Sequence, residues 1–204
     1  MMETKDIAGR ILKEAGTAKR FMVAIAGPPG AGKSTFSAAL YKELIGRGES
    51  SVVVPMDGFH FDDIVLNQRG HRPRKGAPYT FDCAGFEVLL SRIRAMEPDI
   101  AIPVFDRTLE LSRAAAGIVN GTDRIILIEG NYLLLKEPPW NRLKPLFDLT
   151  IFIDVAVDEL ERRLTKRIME HGFDLAHAKH WIASNDLLNI KHVVENSVQA
   201  GLTV

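Results

Sequence analysis

The run Gly27-Pro28-Pro29-Gly30-Ala31-Gly32-Lys33-Ser34 fits the pattern G-x-x-x-x-G-K-[ST], a spacing suited to holding a chain of phosphates. Its glycines let backbone N–H groups curl around an anion, and a helix opening at its end would add the positive end of its dipole. Lys33 can reach the β- and γ-phosphates, and Ser34 is expected to ligate Mg²⁺. With Thr35 next in line, Gly27 to Thr35 is the candidate nucleotide-binding stretch.

Carboxylates that end apolar runs come next, because ligands of open parallel sheets bind beyond the carboxyl ends of the strands. Asp57 follows Val52-Val53-Val54-Pro55-Met56, Glu129 follows Ile125-Ile126-Leu127-Ile128, and Asp154 follows Ile151-Phe152-Ile153. Transfer of a phosphoryl group to an alcohol calls for one carboxylate to accept the hydroxyl proton and another to hold Mg²⁺ or its waters. Asp57 and Glu129 suit those two tasks, with either able to be the base. Asp154 precedes a helical pattern and reads as a cap or turn residue.

The elements that must position these groups follow from periodicity. Ile7, Ile11, Leu12 and Ala15 predict an opening amphipathic helix stopped at Gly16. Phe21–Ala26, Ser51–Pro55, Ile125–Ile128 and Leu149–Ile153 are short and apolar throughout, as parallel strands buried on both faces should be. Phe36, Leu40 and Leu44 predict a helix after the phosphate loop, Phe86 to Ile93 another capped by Asp82, and Leu160, Leu164 and Ile168 a third. The alternation implies a three-layer α/β domain with a mostly parallel central sheet flanked by helices. Trp140 and Trp181 read as core or helix-packing residues, and the stretch from Gly58 to Thr80 is long enough for a connection to be a functional loop.

Gross composition agrees. The 204 residues, 46% apolar and 25% charged, suit one domain, and 26 basic against 26 acidic residues argue against nucleic acid or an anionic membrane as partner. The first residues lack the apolar core of a signal peptide, no run approaches the length of a membrane span, and the one cysteine, Cys83, suits a reducing compartment, so a cytoplasmic protein is expected. Four other histidines, His171, His177, His180 and His192, show no zinc-type pairing and read as surface or helix-end residues. No feature speaks to oligomeric state.

These residues resemble the superfamily of uridine kinase, pantothenate kinase and phosphoribulokinase, whose members join a P-loop to an acidic residue ending the second strand. Met56-Asp57-Gly58-Phe59-His60, Arg74-Lys75-Gly76-Ala77-Pro78, Thr80-Phe81-Asp82, Phe105-Asp106-Arg107 and Glu129-Gly130-Asn131-Tyr132 are most similar to bacterial proteins labelled fructose transport system kinases. The resemblance spans about residues 20 to 195. It implies a P-loop NTPase fold, ATP and Mg²⁺ as cofactors, Asp57 as general base and Glu129 in support of Mg²⁺. It also implies that His60, Arg74, Lys75, Asp106 and Arg107 border the acceptor. Arg163-Leu164-Thr165-Lys166-Arg167-Ile168 resembles the arginine-bearing lid helix of uridine kinases, within a lid of about residues 156 to 174. On a helix Arg163 and Arg167 share a face and could clamp ATP phosphates. Met169-Glu170 replaces the Arg-Asp pair that often follows there. Asn185-Asp186 with Asn189 resembles a late motif of the same relatives, without an assigned role.

The expected activity is therefore transfer of the γ-phosphoryl group of ATP to a hydroxyl of a small metabolite, a sugar, sugar-like or pantothenate-like acceptor. Arg69, His71, Arg72, Arg74 and Lys75 could read an anionic group on that acceptor, or be a solvated loop, or touch the nucleotide. A nucleotide-gated P-loop ATPase acting on a protein partner is the alternative, since a P-loop and a strand-end acid serve hydrolysis too. A GTPase switch is excluded by the lack of an Asn-Lys-x-Asp run.

Overall fold

The computed structural model describes residues 3–204. In chain order the elements are α1 (Thr4–Ala15), β1 (Phe21–Ala26), α2 (Lys33–Gly46), β2 (Ser51–Pro55), α3 (Asp63–Gln68), α4 (Cys83–Arg94), β3 (Ile100–Asp106) and β4 (Leu111–Val119). Then come β5 (Ile125–Gly130), β6 (Leu149–Phe152), α5 (Val157–Glu170), α6 (Leu175–Trp181), α7 (Leu187–Asn196) and β7 (Leu202–Thr203). Five strands form one sheet in the order β2-β5-β1-β6-β7, every pair parallel.

Alternation along β1 divides the core into two layers, because successive side chains of a strand point to opposite faces. Met22, Ala24 and Ala26 pack with Phe86, Leu90 and Ile93 of α4 and with Trp140. Val23 and Ile25 pack with Ile7 and Ile11 of α1, Leu40 and Leu44 of α2, and Leu160 and Leu164 of α5. Both faces being covered explains why these strands are apolar from end to end. Asp82 caps α4 as expected, accepting from Gly85 N at 2.9 Å. Cys83 lies in the core, where burial pushes its thiol up to about 12, and Trp140 packs against Tyr132 and Phe81.

Four differences from the sequence reading stand out. β5 runs on through Gly130, so Glu129 is a strand residue, not one that follows a strand. Asp154 caps nothing: α5 has Ala156 at its N-cap without a side-chain bond, and Asp154 instead donates its backbone N–H to Val204 O. The stretch from Gly58 to Thr80 is built rather than open, holding α3, capped by Asp62, and two 3-10 turns at Arg72–Arg74 and Pro78–Thr80. An antiparallel hairpin of β3 and β4, outside the main sheet, has no counterpart in the sequence reading. Pro103 interrupts β3 at a register shift, and β4 is largely exposed and built around Ala114-Ala115-Ala116-Gly117 without alternation, so neither strand announces itself by pattern.

That hairpin rests on the backbone just after Asp57. A Cβ added to Gly58 would lie 2.3 Å from Pro103 O, so the contact exists only because residue 58 has no side chain. Among the described residues no helix is long and apolar enough to cross a membrane. Gly58→Ala should therefore lower the unfolding free energy by about 1–3 kcal/mol in urea denaturation, the cost of overpacking a closed contact. Gly46→Ala, where an added Cβ meets nothing within 4 Å, should cost nothing and is the control.

Candidate functional site

The turn between β1 and α2 carries the phosphate loop. Gly32 takes a left-handed conformation (φ 91°) to start α2, and Gly30 (φ 80°) lies against α5, where a Cβ would meet Leu164 Cγ at 3.1 Å. Lys33 is buried, and its Nζ donates to the loop's own carbonyls, Gly27 O at 2.9 Å and Pro28 O at 3.0 Å. Burial pulls its ammonium down to about 8, against the opposing attraction of Glu129 and Asp57.

Because β5 lies between β1 and β2, its Glu129 and the turn after β2 open at the same end of the sheet as the phosphate loop. Ser34 Oγ donates to Glu129 Oε1 at 3.0 Å. Glu129 is 7% exposed, and burial followed by repulsion from Asp57 raises its pKa above the ordinary carboxylate range. Asp57 sits in the 3-10 turn Met56–Phe59 and accepts from Arg107 Nη2 at 2.7 Å. Arg107 comes from the tip of the β3–β4 hairpin, so that hairpin reaches back over the carboxylate. His60 Nδ1 lies 2.9 Å from Asp57 O, its ring held between Phe81 and Phe105 at 3.9 and 4.8 Å. Burial lowers the His60 pKa, which favours the neutral ring.

A hard hydroxyl and a carboxylate side by side suit Mg²⁺ better than a soft metal. Among the described residues no group of three or more His, Cys, Asp or Glu side chains could hold a metal by itself. A magnesium ion at Ser34 and Glu129 would thus be completed by phosphates and water, as is usual for that ion.

All these groups line one cavity of about 930 Å³, large enough for a nucleotide and a small second molecule. Arg163 and Arg167 both face it from α5, as their spacing requires. Arg163 Nε bonds Glu159 Oε1 at 2.7 Å, and its Nη1 approaches Ala31 O at 3.3 Å, so it already touches the phosphate loop. Lys75 and His60 line the cavity too, but Arg74 and Asp106 do not. Arg74 instead donates to Ser184 O (2.7 Å) and Asn189 Oδ1 (3.1 Å). Asp106 shapes the hairpin tip, accepting from Thr108 N and Leu109 N at 3.0 and 3.1 Å.

The basic stretch is not free positive charge. Arg72 and Lys75 both reach Asp63, at 2.6 and 2.8 Å, Lys75 also donates to Glu110 O, and Arg69 stacks over Phe61. Asp63 went unnoticed in the sequence because its partners lie nine and twelve residues away, across a turn. The far wall of the cavity had no role assigned from sequence: Trp181 lines it rather than the core, together with Phe173, His177 and the late-motif residues Asn185, Asp186 and Asn189.

The model of the Phosphoribulokinase / Uridine kinase family matches residues 22–199. Over 190 residues the chain is 33% identical to the uncharacterized protein YggC of Escherichia coli (strain K12), covering 91% of this chain and 78% of that one. Over 189 residues it is 32% identical to the "Putative uridine kinase C227.14" of Schizosaccharomyces pombe (strain 972 / ATCC 24843), covering 88% and 80%. It also superposes on the crystal structure of a "putative fructose transport system kinase" from Silicibacter sp. TM1040 with a TM-score of 0.95, at 37% identity over the whole of both chains.

Lys33 supplies a test of the phosphate loop. A buried cation whose pKa is pulled down is held at a cost near neutral pH, so removing the charge while keeping the volume relieves strain. Lys33→Met should melt at or above the wild-type temperature without nucleotide, yet lose the rise in melting temperature that Mg·ATP gives the wild type. A variant that melts lower, or that still responds to ATP, would contradict this picture.

Proposed function

The chain belongs to the Phosphoribulokinase / Uridine kinase family of P-loop kinases, and on that premise we propose that it transfers the γ-phosphoryl group of ATP to a hydroxyl of a small metabolite. One observation carries the reading. Asp57 lines the same cavity of about 930 Å³ as the phosphate loop, and that cavity is also lined by the polar and aromatic side chains of Phe173, His177, Trp181, Asn185 and Asn189. Hydrolysis needs room for a water, whereas this cavity has room for a second substrate.

The roles follow from position. The backbone N–H groups of Gly30, Gly32 and Lys33 and the start of α2 cradle the phosphates. Lys33 gives up its loop carbonyls for phosphate oxygens, an exchange of weak partners for charged ones. Arg163 and Arg167 lie across the cavity from α5 and neutralise charge spreading over the transferring group. Ser34 and Glu129 would hold a Mg²⁺ ion, whose contribution would be to draw negative charge off the phosphates. Glu129 anchors Ser34 in place for that role.

Asp57 accepts the proton of the acceptor hydroxyl. It is the better base of the two carboxylates because Glu129 is buried and occupied by Ser34 of the phosphate loop, while Asp57 is held only by the exposed Arg107 of the hairpin tip. Arg107 is its partner in the closed arrangement, on an exposed side chain at a hairpin tip that can swing aside when an acceptor enters.

Asp57→Asn should keep ATP affinity within a few-fold of wild type and lower kcat for acceptor phosphorylation by roughly 10²–10⁴-fold, the usual contribution of a positioned base. The assay is acceptor-dependent ADP release with Lys33→Met as blank. ATP turnover indifferent to every small molecule but stimulated by a protein would favour the ATPase reading instead.

A further inference from the structure

The C-terminal helical segment carries a carboxylate that neither the fold nor the proposed phosphoryl transfer uses. Between α6 and α7 lies a π-helical turn, Ile182–Asp186. Such turns widen a helix by one residue and recur at functional sites. Here consecutive residues, Asn185 and Asp186, are both buried, at 2% and 8% exposure. In a regular α-helix, neighbours in sequence point about 100° apart and seldom share a buried wall.

The two asparagines of this wall are engaged by the chain itself. Asn185 Nδ2 donates to Lys75 O at 2.9 Å, and Asn189 Oδ1 accepts from Arg74 Nη2 at 3.1 Å. Asp186 differs: its Oδ2 is buried and has no hydrogen-bond partner. A buried acceptor without a donor is costly, and a carboxylate more so than a neutral group. Yet Asp186 lines the cavity, and no hydrogen bond from the described residues engages its carboxylate, so a molecule bound there could donate to it.

The charges around Asp186 narrow what that molecule is. Arg167 on α5 and Arg74 in the 3-10 turn are the cations within electrostatic reach, and Tyr132 after β5 also senses its charge. An ammonium group placed at Asp186 would face both arginines. An anion would meet the carboxylate itself, and most cations that could offset it are taken: Arg72 and Lys75 by Asp63, Arg74 by Ser184 O and Asn189, Arg107 by Asp57, which leaves Arg167, assigned above to the transferring phosphoryl group. A neutral hydroxyl can donate to Asp186 without either penalty. Beside it stand Phe173, His177 and Trp181, four residues apart, with the Phe173 and His177 rings stacked at 4.4 Å. Flat rings of this kind offer a face to the C–H side of a sugar or polyol.

We propose that the acceptor is a neutral polyhydroxy compound, a sugar or an alditol, and that a hydroxyl other than the one phosphorylated donates to the Asp186 carboxylate, making Asp186 a specificity-determining residue. The proposal rests on the kinase reading and deepens it. It replaces an anionic acceptor, which the basic stretch suggested as long as its cations were counted without their partners.

Steady-state kinetics with wild type, Asp186→Asn and Asp186→Ala test it across four sets of probes: neutral hexoses, pentitols and hexitols; hexose phosphates; hydroxycarboxylates; and amino sugars. Turnover is expected with the neutral set. For the best neutral probe, Asp186→Ala should raise the acceptor KM by roughly 10–100-fold, the worth of a hydrogen bond to a charged group, with KM for ATP unchanged. The deoxy analogue lacking the contacting hydroxyl should show a similar loss with wild type and little further loss with the variant, as a double-mutant cycle requires.

Stability supplies a readout that a merely structural role would not move in this direction. Burial raises the Asp186 pKa to about 6, so the native state is disfavoured as pH rises from the ordinary carboxylate value through 6. Asp186→Asn should therefore melt higher than wild type at pH 7.5, with the difference shrinking at pH 4. A variant less stable at pH 7.5, or with unaltered acceptor KM, overturns the proposal. Asp57-dependent turnover confined to hexose phosphates, hydroxycarboxylates or amino sugars overturns it while leaving the kinase reading intact. Failure of every probe to be phosphorylated removes the kinase reading and the proposal with it.

Discussion

β5 is paired on both sides, Glu129 opposite Ile25 on β1 and opposite Pro55 on β2, and this double register organises the chemistry of the molecule. It sets the buried carboxylate beside the mouth of the phosphate loop on one side and the turn bearing Asp57 on the other. A shift of one residue would turn Glu129 to the opposite face of the sheet and break its bond to Ser34. The register is held by apolar side chains facing both helical layers, so burial fixes where the charges go.

The same burial sets the electrostatics. Lys33 is pulled down and Glu129 pushed up for a shared reason, loss of water, and each moderates the other's shift. Neither charge is satisfied by a close ion pair with the other: Lys33 bonds loop carbonyls and Glu129 a hydroxyl. A site left in this state gains most from a ligand that brings negative oxygens to the lysine and a divalent cation to the glutamate, which is a description of Mg·ATP.

What could be read from the sequence was local or buried on two sides. β1 and β2 run from Phe21 to Ala26 and Ser51 to Pro55, as their unbroken apolar runs require, and the phosphate loop is contained in eight consecutive residues. Asp57 and Glu129 were visible because a charge ending an apolar strand is conspicuous. What escaped was built by long-range contact. Arg107 meets Asp57 across 50 residues, and Asn185 meets Lys75 O across 110. Pro103 and an alanine-rich, exposed β4 hid the hairpin, and nothing in the spacing of residues 182–186 distinguishes a π turn from an α-helix. The basic stretch misled for the opposite reason: its charges are obvious in one dimension, and Asp63 cancels two of them in three.

These two classes of residue divide the cavity by origin. The half that would hold nucleotide comes from the sheet, its first turn and α5, all tied to the core. The half around Asp57 that faces away from the phosphate loop comes from the hairpin, the 58–80 segment and the C-terminal π turn, which meet mainly through polar contacts such as Arg74 with Ser184 O and Asn185 with Lys75 O. Polar contacts at a cavity wall can be exchanged without repacking the core, so this half can change without disturbing the phosphate site. The uncompensated carboxylate of Asp186 belongs to that variable half. A buried carboxylate with an oxygen that lacks a donor contributes nothing to a core, whereas in a cavity wall it can contribute to binding.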